Sequence, residues 1–288
     1  MEDRLSMIKL IECPRDALQS YKPYVSVDRK AAYINALLNI GFDTIDFGSF
    51  VSPKAIPQLR DTAEVVKKLD LSQTSSKLLA IVGNLKGAQS AVSFDEIFYL
   101  GFPHSSSKTF LKLNINATPD EARKSISGIN NLCSLKNKQL VVYLAVAFGN
   151  PYGDDANFNL TYKAVKELKD EGIKIIGLAD TLGLGNPELI AEVFSRIIPA
   201  FPEIEFGFHL HTSASSWFEK VKAAYQNGCR RFDSVIMGLG GCPMSSKKLV
   251  GNLSTENLIS FFNTEKKDLK IRQKPYETAL NMAKQIFI

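Results

Sequence analysis

His209 and His211 are two of only three histidines in this 288-residue chain, and they stand one residue apart at the end of an apolar run. Alternate residues of a strand face the same side, so the pair can present two imidazoles to one divalent ion. A packed core histidine is the bland alternative for either residue alone; the spacing and the strand-end position favour ligation. At the end of the first apolar run comes Glu12-Cys13-Pro14-Arg15-Asp16. Asp16 offers a carboxylate to the same ion. Arg15 beside it makes either an ordinary surface ion pair or, next to a metal, a fixed guanidinium suited to a developing enolate or carboxylate oxygen. The cluster Gly238-Leu239-Gly240-Gly241-Cys242-Pro243 reads as a loop able to close over a substrate with Cys242 as proton donor or acceptor, or as a plain flexible loop with an inert thiol. No GK[ST] follows it, so it is not a phosphate loop.

These residues need a frame that gathers strand ends. Short β-branched apolar runs recur at 7–11, 44–47, 78–82, 96–100, 140–144, 174–178, 204–208 and 231–236. Between them lie segments of helical period, such as Ala32, Ile34, Leu37 and Leu38 before Gly41. Thr118-Pro119-Asp120-Glu121 and Asn186-Pro187-Glu188 mark helix starts, each with a cap residue and a proline in the first turn. Strand and helix thus alternate, and the expectation is a single α/β domain over residues 1–288: a TIM-type (β/α)8 barrel with a short C-terminal helical extension beyond Ser254. The rival, a doubly wound open sheet, would need fewer strands and a GxGxxG turn after the first, which is absent. In a barrel the chemistry lies at the C-terminal strand ends, where Asp46, Ser49, Asn84, Lys86, Asp180 and Thr181 also fall.

Composition bounds the rest. With 35 basic and 30 acidic residues the net charge is +5, spread among acids, which argues against nucleic acid while leaving room for a phosphate-rich small ligand. Cys13, Cys133, Cys229 and Cys242 have no zinc or disulfide spacing, and no run approaches the roughly 20 apolar residues of a membrane span. The first nine residues look like neither a secretion signal nor a transit peptide. A soluble protein of the reducing cytoplasm is expected.

The stretch 12–19 resembles the first-strand motif of 3-hydroxy-3-methylglutaryl-CoA (HMG-CoA) lyases, within the pyruvate-carboxyltransferase-like group of metal-dependent barrel enzymes. Ser49-Phe50-Val51-Ser52-Pro53-Lys54, Asn84-Leu85-Lys86-Gly87, Asn114-Ile115-Asn116, Asp180-Thr181-Leu182-Gly183, Gly240-Gly241-Cys242-Pro243 and Gly251-Asn252-Leu253-Ser254-Thr255-Glu256 follow in that family's order. The resemblance implies a divalent cation, Mg or Mn, held by Asp16, His209, His211 and Asn252. It implies enolate stabilisation by Arg15, proton transfer by Cys242, and active-site roles for Asp46 and Asp180. Gln19, Ser49, Asn84, Lys86 and Thr181 would meet substrate or CoA. The implied reaction is retro-Claisen cleavage of HMG-CoA to acetyl-CoA and acetoacetate, as in leucine degradation, with a homodimer left open. Two rivals remain: a Claisen-type synthase joining acetyl-CoA to a 2-oxo acid, and a non-catalytic acyl-CoA-binding barrel.

Four departures stand out. Asp46 replaces a glutamate, Ala17 a glycine, and Thr212 the aspartate expected after the second histidine; Ser107-Lys108-Thr109-Phe110 replaces a serine-acid-x-Phe pattern. The third removes an expected carboxylate support of the metal ligands.

Overall fold

A computed structural model describes residues 7–155, 157–241 and 250–288. Eight parallel strands close into one barrel in sequence order: β1 (Lys9–Glu12), β2 (Thr44–Ser49), β3 (Lys77–Ile81), β4 (Ile97–His104), β5 (Gln139–Leu144), β6 (Ile175–Asp180), β7 (Glu205–Leu210) and β8 (Arg231–Ser234). Helices cover the outside: α1 (Pro14–Ser20), α2 (Val27–Leu38), α3 (Thr62–Val66), α4 (Leu85–Ala91), α5 (Lys108–Ile115), α6 (Pro119–Leu135), α7 (Phe158–Asp170), α8 (Pro187–Ala200), α9 (Trp217–Gln226), α10 (Thr255–Thr264) and α11 (Gln273–Phe287). Each predicted apolar run is a strand of this barrel, and the expected C-terminal extension is α11, which packs on α2 and sets Phe287 edge-on to Tyr21 and Tyr33. The capping box at Thr118 and Glu121 opens α6 as its sequence demands, with both reciprocal bonds formed.

Period two sorts the strand residues. Leu10, Ile45, Leu78, Leu100, Val142, Ile176, Phe208 and Phe232 point outward into the main core beneath the helices, while Leu79, Tyr99, Val141 and Ile175 form a separate cluster. Both faces are buried, which is why the strands read as nearly continuous apolar runs. One upper layer is polar by design of its neighbours. Tyr143 on β5 lies across the space left by Gly177 on the paired strand β6: a Cβ there would sit 2.7 Å from the Tyr143 ring. The tyrosine ring in turn packs edge-on against the His209 imidazole, centroids 5.8 Å apart.

The first strand is stitched to the last by Glu12, which is fully buried. Its carboxyl oxygens accept the backbone N–H of Ile236 at 2.8 Å and the hydroxyl of Thr255 at 2.5 Å. Burial raises its pKa to about 8 despite these two bonds, which favour the anion. A carboxyl raised in the folded state contributes most below its unfolded pKa, and that contribution is lost as pH climbs through the folded value. Stability is therefore expected to fall by about 1–3 kcal/mol between pH 5 and 8. Glu12→Gln, which keeps a neutral acceptor and donor, should flatten that profile in urea unfolding; an equally steep slope in the variant would remove Glu12 as its source.

Candidate active site and metal centre

The site sits at the C-terminal ends of the strands, in a cavity of about 420 Å³ lined by Arg15, Asp16, Gln19, Thr181, His209 and His211 on its polar side. Its apolar lining includes Val51, Ile56, Ile81, Leu113 and Ile115.

Strand β7 delivers His209, and the residue just beyond it delivers His211. Their Nε2 atoms face each other at 3.2 Å. The other ring nitrogens explain this. His209 Nδ1 lies 3.0 Å from Asp233 Oδ2, and His211 Nδ1 lies 3.3 Å from the Val250 carbonyl. An oxygen acceptor on each side calls for N–H at both Nδ1 positions, which leaves a lone pair at each Nε2. Two lone pairs at that separation repel unless a proton or a cation lies between them. Two nitrogens each about 2.1 Å from one ion at right angles would be about 3 Å apart, so the spacing suits a shared ion. The carboxylate of Asp16 completes the group: its Oδ2 is 3.6 Å from His209 Nε2, and the three ligand atoms all lie within 4.8 Å of one another.

The electrostatics agree. Burial opposes charge on His209, but the hydrogen bond and negative charge of Asp233, with Asp16, outweigh it and raise its pKa. His211 is driven down to about 4 by burial and by the neighbouring His209. Burial would raise Asp16, yet Arg15 and the two imidazoles hold its carboxyl below the usual range. A neutral imidazole, a proton-sharing partner and an ionised carboxylate are the forms a divalent ion takes up, releasing a proton.

A second triad, Cys13, His209 and Asp233, shares the same ring on its Nδ1 side. It is the poorer ligand set. Its histidine nitrogen is already engaged by Asp233, and burial among carboxylates pushes the Cys13 thiol well up, against the thiolate a metal needs. Asn252 is placed beside His211 by an antiparallel bridge, its amide donates to the Leu239 carbonyl at 2.7 Å, and it helps to hold the Asp16 pKa down. Cys242 lies outside the described residues.

Arg15 is held from three sides, with Nη1 donating to Asp16 at 2.7 Å and to Gln19 at 3.1 Å, and Nη2 to Asp46 at 2.6 Å. It is thus no surface pair. The shorter side chain at 46 has a visible effect: Nε and Nη2 both converge on Asp46 Oδ2, while the buried Oδ1 has no partner among the described residues. Burial lifts the Asp46 pKa to about 6, with Arg15 pulling the other way.

The remaining expected residues separate. Thr181 lines the cavity and accepts the Val146 N–H at 3.1 Å, holding a backbone of positive φ at Val146. Asp180 turns away from the cavity: it accepts the N–H groups of Leu184 and Gly185 and pairs with Lys220 at 3.2 Å, so its contacts hold the loop after β6. Ser49 bonds the Ile81 carbonyl and the Val51 N–H, Asn84 caps α4 through the Gly87 N–H, and Lys86 is exposed on the first turn of that helix. None of these three lines the cavity.

Asp233 escaped the sequence reading. Thr212 removes one support after His211, and sequence order hid that the next strand supplies another, through the pairing of His209 with Asp233. The available signal was an acid between Phe232 and Ser234 within the last strand run. Asp233→Asn is expected to weaken binding of Mn²⁺ by about 10–100-fold while the fold persists, and His209→Ala to abolish it. Calorimetric titration with Mn²⁺ checks both, and unchanged affinity in either variant would overturn the corresponding role.

Comparison with known proteins shows the family. The HMGL-like family profile matches residues 8–284. The hydroxymethylglutaryl-CoA lyase YngG of Bacillus subtilis is 31% identical, over 95% of this chain and 89% of its own. The human mitochondrial hydroxymethylglutaryl-CoA lyase is 31% identical over 88% and 77%. Among solved structures, an Acinetobacter baumannii HMG-CoA lyase in complex with coenzyme A and 3-methylmalate superposes with a TM-score of 0.91 at 30% identity, covering 100% of this chain and 93% of that one. The B. subtilis HMG-CoA lyase structure gives 0.91 at 28% identity, over 98% and 94%. The family profile over nearly the whole chain, and relatives 31% identical over most of their own length, place this chain in the HMGL-like family.

Proposed function

We propose that this protein is a carbon-carbon lyase that cleaves HMG-CoA to acetyl-CoA and acetoacetate with a bound Mg²⁺ or Mn²⁺. The observation that carries the reading is the convergence of Asp16, His209 and His211 on one point, with the Arg15 guanidinium hydrogen-bonded to that same Asp16. The kinship with hydroxymethylglutaryl-CoA lyases supports the substrate, as does the similar structure that holds coenzyme A with a hydroxy diacid.

Asp16, His209 and His211, with the side-chain oxygen of Asn252, would hold the ion. Bound there, it supplies Lewis acidity that eases loss of the proton from the tertiary hydroxyl of the substrate. A carboxylate at the site, Asp16 or a neighbour, takes that proton; the Asp16 oxygen not bonded by Arg15 is the one that faces the histidines. The hydroxyl oxygen becomes the ketone of acetoacetate, the bond between carbons 2 and 3 breaks, and its electron pair flows to the thioester as an enolate. Arg15 meets the enolate oxygen. It can do so without reorganising, because Asp16, Gln19 and Asp46 already fix its plane. A proton delivered to carbon 2, the role proposed for Cys242, yields acetyl-CoA.

The apolar wall of Val51, Ile81 and Ile115 suits the methyl side of the substrate and keeps water from the enolate. The synthase and the non-catalytic barrel fit less well, the first because the matched relatives are lyases, the second because the metal ligands and Arg15 are intact. We place the protein in the cytoplasm, acting on a free acyl-CoA; among the described residues no helix is long and apolar enough to cross a membrane.

Purified protein should release acetoacetate from HMG-CoA with Mg²⁺ or Mn²⁺ and lose that activity to EDTA. Failure in both metals, or acetyl-CoA consumption with a 2-oxo acid instead, would sink the reading. Cys242→Ser is expected to retain metal and lose about 10²-fold or more in kcat; near-normal turnover would remove the thiol from the chemistry.

A further inference from the structure

The wall of the cavity formed by α5 has an electrostatic defect at its start. Ser107 caps the helix by accepting the Phe110 N–H at 3.0 Å, but the first turn contains no acid and opens on Lys108. A cation at that position opposes the helix dipole, and the Thr109 N–H needs an acceptor that the helix itself cannot provide. Both needs are met from elsewhere. Asp154, on the connection between β5 and α7, accepts the Thr109 N–H at 3.1 Å and the hydroxyls of Ser107 at 2.5 Å and Thr109 at 3.1 Å. Two further contacts join the same segments: Ser105 donates to the Ala145 carbonyl at 3.1 Å, and the Tyr152 and Phe110 rings lie 6.5 Å apart. Helix α5 then presents Phe110, Leu113, Asn114 and Ile115 to the cavity.

We propose that Asp154 is a positioning residue for substrate binding: it is the capping carboxylate of α5 supplied from the connection after the adjacent strand, and it holds the α5 wall of the cavity against the β5–α7 connection. The helix start itself carries no acid and the carboxylate that serves it is borne by another loop, so substrate affinity depends on the docking of two segments rather than one. The assignment rests on the reading of this cavity as the acyl-CoA site. Asp154 touches neither Arg15 nor the metal ligands, so it acts on binding and not on bond cleavage.

Asp154→Asn should raise KM for HMG-CoA by about five- to tenfold with kcat within about twofold, since the loss falls on the placement of one wall. Lys108→Glu in the Asp154→Asn background restores an acid to the helix start and should return KM to within about threefold of the parent, a rescue that general destabilisation would not show. A KM unchanged in Asp154→Asn, an equal loss in kcat, or no rescue overturns the assignment. Amide hydrogen exchange decides the clamp separately from the substrate. Faster exchange in α5 with β7 and β8 unchanged supports it even if the parent protein does not cleave HMG-CoA, and unaltered exchange in α5 rejects it whatever the substrate.

Discussion

Two imidazole nitrogens aimed at each other at 3.2 Å are the constraint around which the upper face of this barrel is arranged. That pose is unfavourable for neutral rings with both outward nitrogens protonated, and it persists because each ring is fixed from behind. Asp233 fixes one and a main-chain carbonyl the other. The two supports differ in kind, since one is a carboxylate on the adjacent strand and the other a carbonyl at the return of the chain after β8. Barrel closure is thus a condition of the candidate metal site. Glu12, which ties the first strand to the region after the last, belongs to the same condition.

The second organising element is Arg15. A buried guanidinium must be paired on all sides or it destabilises the fold, and here two carboxylates and an amide oxygen meet it. The pairing also prepares it for chemistry, because a fixed cation in a partly dry cavity stabilises an oxyanion without moving. Asp46 illustrates the limit of such a pairing. One oxygen carries both bonds from Arg15, the other has no partner among the described residues, and burial raises the pKa further than Arg15 lowers it.

A theme joins the departures from the family pattern. Where a carboxylate is missing at Thr212, Asp233 supports the neighbouring imidazole; where an acid is missing at Lys108, Asp154 serves the helix start. Both carboxylates come from segments adjacent in space to the groups they serve and distant in sequence. The chemistry at a barrel mouth requires charge at a location, and several strand ends and loops reach each location.

Sequence by itself determined the eight strands, the helix starts at Thr118 and Asn186, and the extension at the C-terminus, because period-two and period-3.6 burial and local capping are properties of short segments. It also determined Asp16, His209 and His211 as a set, since an HxH at one strand end and an acid at another have few other uses. What only the tertiary structure decided was which polar strand-end residues face the cavity. Asp180 and Asn84 read as site residues, yet their oxygens serve the backbone of a loop and of a helix start. Asp233, Tyr143 and Asp154 read as ordinary, yet they adjoin the metal ligands or the cavity wall. The reason is physical: a carboxylate's role is set by the donors that surround it, and in a closed barrel those donors come from strands and loops dozens of residues away.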